Sequence, residues 1–322
     1  MREVDYEVLV VGGGVLGLTV AIRLQQEFRA RIRIWTADAP EDTVSSVAAA
    51  LWYPYRAYPE AQVTEWGRST YEQFVELARE SATGVRMVPG IEVWRRPVPD
   101  PPWADAVPGL RRCRPDELPP GFRDGHLFAV PVANMRVYLG FLVDCFAAAG
   151  GTLERRRISS LDEARAACSL VINCSGLGAR TLVPDPEVFP IRGQIVRVTN
   201  PGIERFWLDE EHPDGVTYIV PRGEDCILGG TAEDGEWDTT PDPAAGEGIL
   251  RRCAELEPRL LDARVLEHRV GLRPGRPAIR LEAEHFRDGT RVIHCYGHGG
   301  SGVTLSWGCA DEVADLARPL MD

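Results

Sequence analysis

The 322-residue sequence predicts an α/β protein with a Rossmann-like domain that binds a dinucleotide and a second domain built on a mostly antiparallel β-sheet. Three observations predict this fold class. A strand, a glycine-rich turn, a helix and a second strand follow one another near the start of the chain. Short strands separated by turns occupy residues 190–231. Helical patterning returns near the end, so both domains are predicted to be discontinuous in sequence.

The first element is a β–loop–α–β unit, which builds parallel sheets. Residues 6–11 predict a buried strand, residues 15–29 have apolar side chains at helical spacing, and residues 31–35 alternate like a second strand. The turn Gly12-Gly13-Gly14-Val15-Leu16-Gly17 is a G-x-G-x-x-G pattern. Such glycines permit a tight turn and bring the helix N-terminus close to a pyrophosphate.

Asp38 follows the second strand, about 20 residues after the last glycine of this pattern, as the dinucleotide-binding fingerprint requires. A carboxylate there hydrogen-bonds a ribose and repels a 2′-phosphate, which favours NAD or FAD over NADP. The alternative is a glycine-rich turn that binds no ligand.

The remaining elements follow from the same periodicities and from breaker residues. In chain order, these are a helix over 64–80, a proline-rich peripheral loop over 97–121, a helix over 134–149, strands near 152–158 and 169–174, a helix near 245–256, strands over 264–273 and 290–296, and a closing helix over 302–317. We therefore predict a dinucleotide domain made of residues 1–80, 134–188 and 264–322, and a second, substrate-binding domain made of residues 81–133 and 189–263.

Charge and cysteine content limit the class of protein. The formal net charge is −12, which argues against binding to nucleic acid or to an anionic membrane. An anionic substrate would then need a local cationic site. The eight cysteines have neither CxxC nor metal-ligand spacing, so we expect no metal and reduced thiols in a cytoplasmic protein. Neither a signal peptide nor a membrane span is expected from the sequence as given.

A second glycine-rich segment, Gly297-His298-Gly299-Gly300-Ser301-Gly302-Val303-Thr304, precedes the last predicted helix. Its backbone N–H groups fit the pyrimidine end of an isoalloxazine ring, so one extended cofactor is predicted to touch both ends of the domain. A simple turn is the alternative. His298 is a candidate base, with a backbone hydrogen bond as its alternative role.

Two predicted strands carry candidate substrate contacts. Arg269, Gly271 and Arg273 share one strand face, and a guanidinium binds a carboxylate through two parallel hydrogen bonds. A salt-bridged surface is the alternative. Tyr218 and Val220 share a face of another strand, which suits either a pocket with one polar group or a packed core.

Together these segments resemble the D-amino-acid oxidase family, FAD-dependent enzymes that include D-aspartate oxidase. The matching segments, in the family's order, are Val10–Leu18 (VVGGGVLGL), Val47–Tyr55 (VAAALWYPY), Val171–Gly176 (VINCSG), Arg192–Val196 (RGQIV), Tyr218–Pro221 (YIVP), Leu228–Thr231 (LGGT), Arg269–Leu281 (RVGLRPGRPAIRL) and Tyr296–Cys309 (YGHGGSGVTLSWGC).

The resemblance implies site residues. Arg273 is similar to the arginine that binds the substrate carboxylate, Tyr218 to a tyrosine that meets the same carboxylate, and Gly300 to a glycine whose carbonyl accepts from the substrate amine. The FAD contacts implied by the resemblance and by the glycine patterns are Gly12, Gly14, Val15, Leu16, Gly17, Asp38, Ser45, Ser46, Ala50, Leu51, Ile158, Arg280, Gly297, Gly299, Gly300, Ser301, Gly302, Val303 and Thr304.

Two positions depart from the family pattern. Asp214 stands where mammalian members carry a lid tyrosine, and Tyr53 stands where a glutamine is common. The peroxisomal tail of eukaryotic members is also missing, which fits a bacterial cytoplasmic protein.

The implied function is FAD-dependent oxidative deamination of D-amino acids, with neutral side chains favoured. Hydride transfer from Cα to flavin N5 would lead to a 2-oxo acid, ammonia and hydrogen peroxide. The expected partners are the D-amino acid and O₂, with no nucleic acid and no membrane, and a homodimer is left open. One alternative is an oxidase of D-aspartate, D-glutamate or glycine, for which Arg222 and Arg269 are candidate second cations. A remote alternative is a dinucleotide-binding protein without turnover.

Overall fold

The computed structural model describes residues 6–321, which form two β-sheets with helices packed on them. The first sheet is parallel except for one antiparallel pair of strands at its edge. Strands are numbered in chain order, and the spatial order of this sheet is β14 (Arg280–His285), β15 (Arg291–Tyr296), β7 (Leu170–Asn173), β1 (Tyr6–Val11), β2 (Ala30–Thr36) and β6 (Thr152–Arg155).

The second sheet has nine strands and is antiparallel except for one parallel pair of neighbouring strands. Its spatial order is β13 (Val265–Gly275), β8 (Phe189–Thr199), β11 (Asp225–Gly229), β10 (Thr217–Pro221), β9 (Phe206–Asp209), β3 (Val85–Trp94), β5 (Asp124–Ala133) and β4 (Arg111–Arg112), with β12 (Glu233–Asp234) also paired to β8. The predicted fold class is confirmed.

Seven α-helices are present among the described residues: α1 (Val15–Glu27), α2 (Glu60–Leu77), α3 (Met135–Ala148), α4 (Leu161–Ala167), α5 (Ala179–Leu182), α6 (Pro243–Leu256) and α7 (Ser306–Met321). Within residues 6–321, each helix is too short or too polar to cross a membrane.

Two predicted helix starts differ from the structure. Helix α2 begins at Glu60, earlier than the predicted residue 64, because its first turn after Pro59 is polar and carries no apolar period. Helix α7 begins at Ser306 rather than at 302, because Gly302–Leu305 form a turn in which Leu305 N–H donates to the Ser301 carbonyl.

The strand over 265–275 differs in its sheet. β13 pairs with β8 from Val265 to Gly275, so this stretch lies in the second sheet. The dinucleotide segment predicted to begin at residue 264 therefore joins the first sheet only from β14 onward. Strand alternation is the same in both sheets, and for this reason the sequence pattern did not reveal the partner strand.

Close packing of α1 on the first sheet sets the geometry of the glycine-rich turn. The helix buries Leu18, Val20, Ala21 and Leu24. A Cβ at Gly17 would lie 1.9 Å from the Gly12 carbonyl oxygen, so only glycine lets the helix approach its own preceding turn this closely. The free N-terminus of α1 is thereby held at the carboxyl end of β1.

Candidate active site

A cavity of about 800 Å³ lies between the carboxyl ends of β1, β2 and β7 and one face of the second sheet. Ligand and cofactor pockets typically measure about 300–1,000 Å³, so this volume suits a large cofactor together with a small substrate. The glycine-rich turn lines one end, and Tyr218 and Arg273 line the other. One extended ligand can thus reach both predicted regions.

The first glycine turn presents backbone rather than side chains to the cavity. Gly12 has φ of +118°, and a Cβ there would lie 2.3 Å from the Cys174 carbonyl oxygen. Gly14, Val15 and Leu16 line the cavity, and the Val15 N–H donates to Ser45 Oγ at 3.0 Å. The tight turn and the N-terminus of α1 form a cradle that a bulkier residue at Gly12 would fill, which suits a pyrophosphate.

The side of the cavity beside β2 carries the predicted ribose contacts. Asp38 lines it with a side chain that is 51% exposed, and one of its carboxylate oxygens lies 3.0 Å from Arg157 Nη2. Ser45 and Ile158 also line it. Ser46 does not, because its carbonyl and hydroxyl oxygens both accept hydrogen bonds from Arg269.

The segment over 297–304 is joined to the segment over 50–55 by two hydroxyl groups. Ser301 Oγ accepts from the Tyr55 N–H at 2.7 Å and donates to the Tyr55 carbonyl at 2.8 Å. Thr304 Oγ1 makes the same pair of bonds with Tyr53. The predicted cofactor contacts from these two segments that line the cavity are Ala50, Leu51, Gly299, Gly300, Gly302, Val303 and Thr304. Ser301 and Gly297 lie behind this lining, where they shape the backbone.

Two in-strand glycines make room for the predicted substrate contacts. A Cβ at Gly193 would lie 2.1 Å from Arg273 Nη1, so the guanidinium lies directly over that glycine. A Cβ at Gly229 would lie 1.9 Å from Tyr218 Cζ, so the phenol ring covers it in the same way. A Cβ at Gly300 would lie 3.6 Å from Arg273 Cδ. The structure therefore brings Tyr218, Arg273 and Gly300 together.

The charge of Arg273 is available to a ligand. Its Nη1 donates to the Thr231 carbonyl at 3.1 Å, and among the described residues no carboxylate forms an ion pair with it. Burial raises the pKa of Tyr218. The phenol therefore stays protonated beside the guanidinium and acts as a hydrogen-bond donor. A carboxylate at this point would receive donors from both side chains.

Arg280 is another predicted cofactor contact that does not line the cavity. It stands on the edge strand β14, outside the cavity lining, where Nη1 donates to the Tyr296 hydroxyl at 2.9 Å and Nε to Glu282 at 2.7 Å. Strand β14 does not contribute to the described cavity lining, and the predicted contact of Arg280 with the cofactor stays a prediction.

The other open predictions are resolved by contacts. His298 lines the cavity, but its Nε2 lies 3.3 Å from Cys309 Sγ, so its ring faces the protein core. Arg222 pairs with Asp225 and does not line the cavity. Asp214 lies in an exposed turn, where its carboxylate is 3.7 Å from the Arg251 guanidinium.

Sequence analysis missed a carboxyl cluster at the cavity wall. Tyr53 OH donates to Glu92 Oε1 at 2.5 Å, and Glu210 lines the cavity beside Tyr53. Burial raises the pKa of Glu92 to about 8 and that of Glu210 to about 7. The detectable signal was a glutamate inside the apolar stretch Ile91–Trp94 of strand β3.

Comparisons with known proteins agree with this geometry. The sequence matches the family described as FAD dependent oxidoreductase (DAO) over residues 7–316. It is 60% identical over 310 residues to the D-amino-acid oxidase of Rubrobacter xylanophilus, covering 96% of this chain and 95% of that one. The D-amino-acid oxidase of Streptomyces coelicolor is 47% identical over 321 residues, covering 98% of each chain. The solved glycine oxidase of Geobacillus kaustophilus shares the fold, with a TM-score of 0.80, 20% identity and coverage of 98% of this chain and 95% of that one.

Proposed function

The chain belongs to the DAO family of FAD dependent oxidoreductases, and from this premise we propose that it oxidises D-amino acids at the expense of O₂. The substrate loses its Cα hydrogen and an amine proton together with two electrons, which gives an imino acid. Water converts the imino acid to a 2-oxo acid and ammonia, and the electrons and protons reduce O₂ to hydrogen peroxide. The observation that carries the proposal is an unpaired guanidinium, Arg273, in the same cavity as the glycine cradle.

The cofactor-binding part of the cavity fits FAD. The Gly12 turn and the α1 N-terminus offer N–H groups to a pyrophosphate, Asp38 faces the ribose side, and the backbone of Gly299–Thr304 faces the other end. The cavity continues from the Gly12 turn to Tyr218 and Arg273, so it suits FAD, which carries a pyrophosphate and an adenosine, better than the shorter FMN. When bound, FAD supplies the two-electron acceptor for the Cα hydrogen and the route to O₂.

The chain's own residues orient the substrate. Arg273 and the Tyr218 hydroxyl hold the carboxylate, and the Gly300 carbonyl accepts from the amine. Two fixed groups on Cα leave one orientation for the hydrogen and one space for the side chain, which is how the site selects a D-amino acid. Tyr218 remains protonated because burial raises its pKa, so it does not serve as a base.

Neutral side chains are preferred over acidic ones in this proposal. An acidic side chain needs a second free cation, and the two candidates are committed elsewhere. Arg222 pairs with Asp225, and Arg269 donates to Ser46 and lies 3.5 Å from Glu267. A second carboxylate would also meet Glu210 in the cavity wall, so its desolvation would be uncompensated.

An anaerobic absorbance titration of the purified protein tests the proposal. We expect a yellow protein whose acid-released cofactor is FAD, and whose visible absorbance bleaches with D-methionine but not with L-methionine. A protein that releases FMN, or that bleaches with neither enantiomer, would contradict it. A higher kcat/KM for D-aspartate than for D-methionine would favour the acidic-substrate alternative.

A further inference from the structure

The carboxyl cluster consists of Glu92, Glu210 and Tyr53, and it lies on the same sheet face as the carboxylate-binding residues. Glu92 on β3 is in register with Leu208 on β9, and Leu208 is in register with Tyr218 on β10. Residues in register across neighbouring strands point to the same face, and each strand adds about 4.8 Å. The Glu92 strand therefore lies about 10 Å from the Tyr218 strand.

Arg273 lies on the other side of Tyr218. The phenol ring leans over Gly229 on β11, and the guanidinium covers Gly193 on β8, the next strand along. The face thus has a cationic end, a central tyrosine and an acidic end. Arg273 and Glu210 line the same cavity, so the two charged ends of this face flank the space that is open to a substrate.

The cluster lacks a cation. Glu92 is 1% exposed, Tyr53 OH donates to its Oε1, and its Oε2 is buried without a hydrogen-bond partner. The one phenol proton cannot satisfy both carboxyl groups. Among residues 6–321, no arginine forms an ion pair with Glu92 or Glu210, although arginines pair with carboxylates across the rest of the surface. A buried carboxylate without a positive partner is costly.

We propose that Glu210 is the side-chain subsite for a cationic D-amino acid, with an ammonium or guanidinium group at the end of a lysine- or arginine-length side chain. Glu210 is the member whose carboxyl faces the cavity beside Tyr53. Tyr53 and Glu92 are positioning residues: the phenol donates to Glu92 and also lies close enough to Glu210 to lower its pKa, so together they hold Glu210 at the cavity wall. The inference rests on the proposed function, because it assumes that Arg273 holds the substrate carboxylate.

The same cluster also admits neutral side chains. Burial keeps both carboxyl groups protonated at low pH, so the wall is then uncharged. The titratable groups that face the pair are Tyr53, the neighbouring Glu211, and His126, which is in register with Glu92 on β5 and contacts Asp100 through Nε2. A cationic side chain favours the ionised form of Glu210, so selectivity for cations increases as pH rises past neutrality.

The test compares D-lysine with D-norleucine, which has the same chain without the ammonium group. The holoenzyme and its Glu210→Gln variant are assayed from about pH 6 to pH 9. In the unmodified enzyme, we expect the ratio of kcat/KM for D-lysine over D-norleucine to rise at least tenfold across this range. In Glu210→Gln, the ratio should be lower and nearly independent of pH. Ionisation of the α-amine is common to both enzymes and cancels in this comparison.

Two further variants separate recognition from general structural damage. Glu224→Gln is the matched control, since Glu224 is exposed and lies outside the cavity lining, and its ratio should follow the unmodified enzyme. In Glu92→Gln, the D-lysine to D-norleucine ratio should begin to rise at a lower pH, because the phenol proton of Tyr53 then becomes available to Glu210. The subsite is overturned if the D-lysine to D-norleucine ratio does not change with pH in the unmodified enzyme, or if Glu210→Gln has the same ratio as the unmodified enzyme. In either case, oxidation of D-norleucine would still support the proposed function. If neither D-amino acid is oxidised, both proposals fail.

Discussion

The two sheets contribute to the cavity with different parts of the chain. The six-stranded sheet offers backbone groups at the carboxyl ends of β1 and β7, where Gly12 and Gly14 keep side chains out of the way. The nine-stranded sheet offers side chains from its face, chiefly Tyr218, Arg273 and Glu210. Recognition by backbone depends on local conformation, whereas recognition by a sheet face depends on which strands are neighbours.

Glycine has a different function in each sheet. At Gly12, a positive φ and contact with Cys174 require the absence of a Cβ. Gly193 and Gly229 do not have a positive φ, and there the missing Cβ leaves space for the arginine and tyrosine that lie above. If this comparison is right, substitutions in the second sheet should damage catalysis while leaving the cofactor bound.

The largest effect is expected for Arg273→Ala. Removing one partner of a desolvated charge pair costs about 2–5 kcal/mol, so kcat/KM for a D-amino acid should fall by roughly 30-fold to several thousandfold. Most of the loss should appear as a raised KM, because the carboxylate is bound in ground and transition states alike. Steady-state kinetics and the FAD content of the purified variant measure this.

Two further variants test whether the loss comes from the guanidinium of Arg273 itself. Arg273→Lys should recover part of the activity, since a single ammonium cannot make the two parallel hydrogen bonds of a guanidinium. Arg276→Ala should be much milder, because Arg276 pairs with Asp185 and Glu187 away from the cavity. Near-normal kcat/KM in Arg273→Ala, together with loss of turnover in Arg269→Ala, would mean that Arg269 rather than Arg273 binds the substrate carboxylate.

Glu92→Gln should have the next largest effect, on stability. Burial raises the pKa of Glu92 from 4.5 to about 8, so the folded state prefers the protonated carboxyl. Its contribution to stability is complete below pH 4.5 and is lost as pH rises through about 8. Glutamine does not ionise, so the variant should gain about 1–3 kcal/mol over the unmodified protein at about pH 8.5 and little at about pH 4.5.

Denaturant unfolding at the two pH values measures this difference. Glu154→Gln is the control, because Glu154 is an exposed residue of β6 in the first sheet and should show no comparable pH dependence. An equal effect of Glu92→Gln at both pH values would mean that the gain is unrelated to ionisation.

Gly193→Ala tests the space beneath Arg273. The added Cβ would lie 2.1 Å from Nη1, and the flexible end of the arginine can move aside, so the protein should fold. Displacement of the guanidinium should raise the activation free energy by about 1–2 kcal/mol, which lowers kcat/KM roughly five- to thirtyfold. The FAD content should stay normal. Gly140→Ala is the matched control, since it lies in helix α3 with nothing within 4 Å of the added atom. Reduced FAD content with an unchanged KM would contradict the division between the sheets.

The difference between the sheets also explains what the sequence predicted. The β–loop–α–β unit and the Gly12–Gly17 turn are contiguous, and their periodicity and glycine spacing are local signals. The shared face of Arg269, Gly271 and Arg273 followed from alternation within one strand. The partner of that strand did not follow, because pairing of β13 with β8 joins distant parts of the chain.

The carboxyl cluster shows the same limit more sharply. Glu92, Tyr53 and Glu210 come from three separate segments, and only strand register brings them together. Arg280 is the opposite case: sequence resemblance assigns it a cofactor contact, whereas the structure places its guanidinium against Tyr296 and Glu282. A residue's alignment with a motif predicts its neighbours along the chain better than its neighbours in space.

The smallest effect is expected for Asp38→Ala, which examines the charged side-chain contact predicted on the backbone-lined side. Asp38 faces the ribose region but is 51% exposed and paired with Arg157, which is itself 71% exposed. Solvent screens this charge, and water can replace part of the hydrogen bond, so FAD affinity should fall by only about 1 kcal/mol, roughly fivefold in Kd.

Titration of the apoprotein with FAD measures this loss of affinity, and Glu41→Ala, an exposed neighbour outside the cavity lining, is the control. Substrate preference should not change, because Arg273 and Glu210 lie at the other end of the cavity. An FAD affinity equal to that of the control would mean that the first sheet binds its ligand through backbone alone, and a loss above a hundredfold would mean that a side chain dominates there as well.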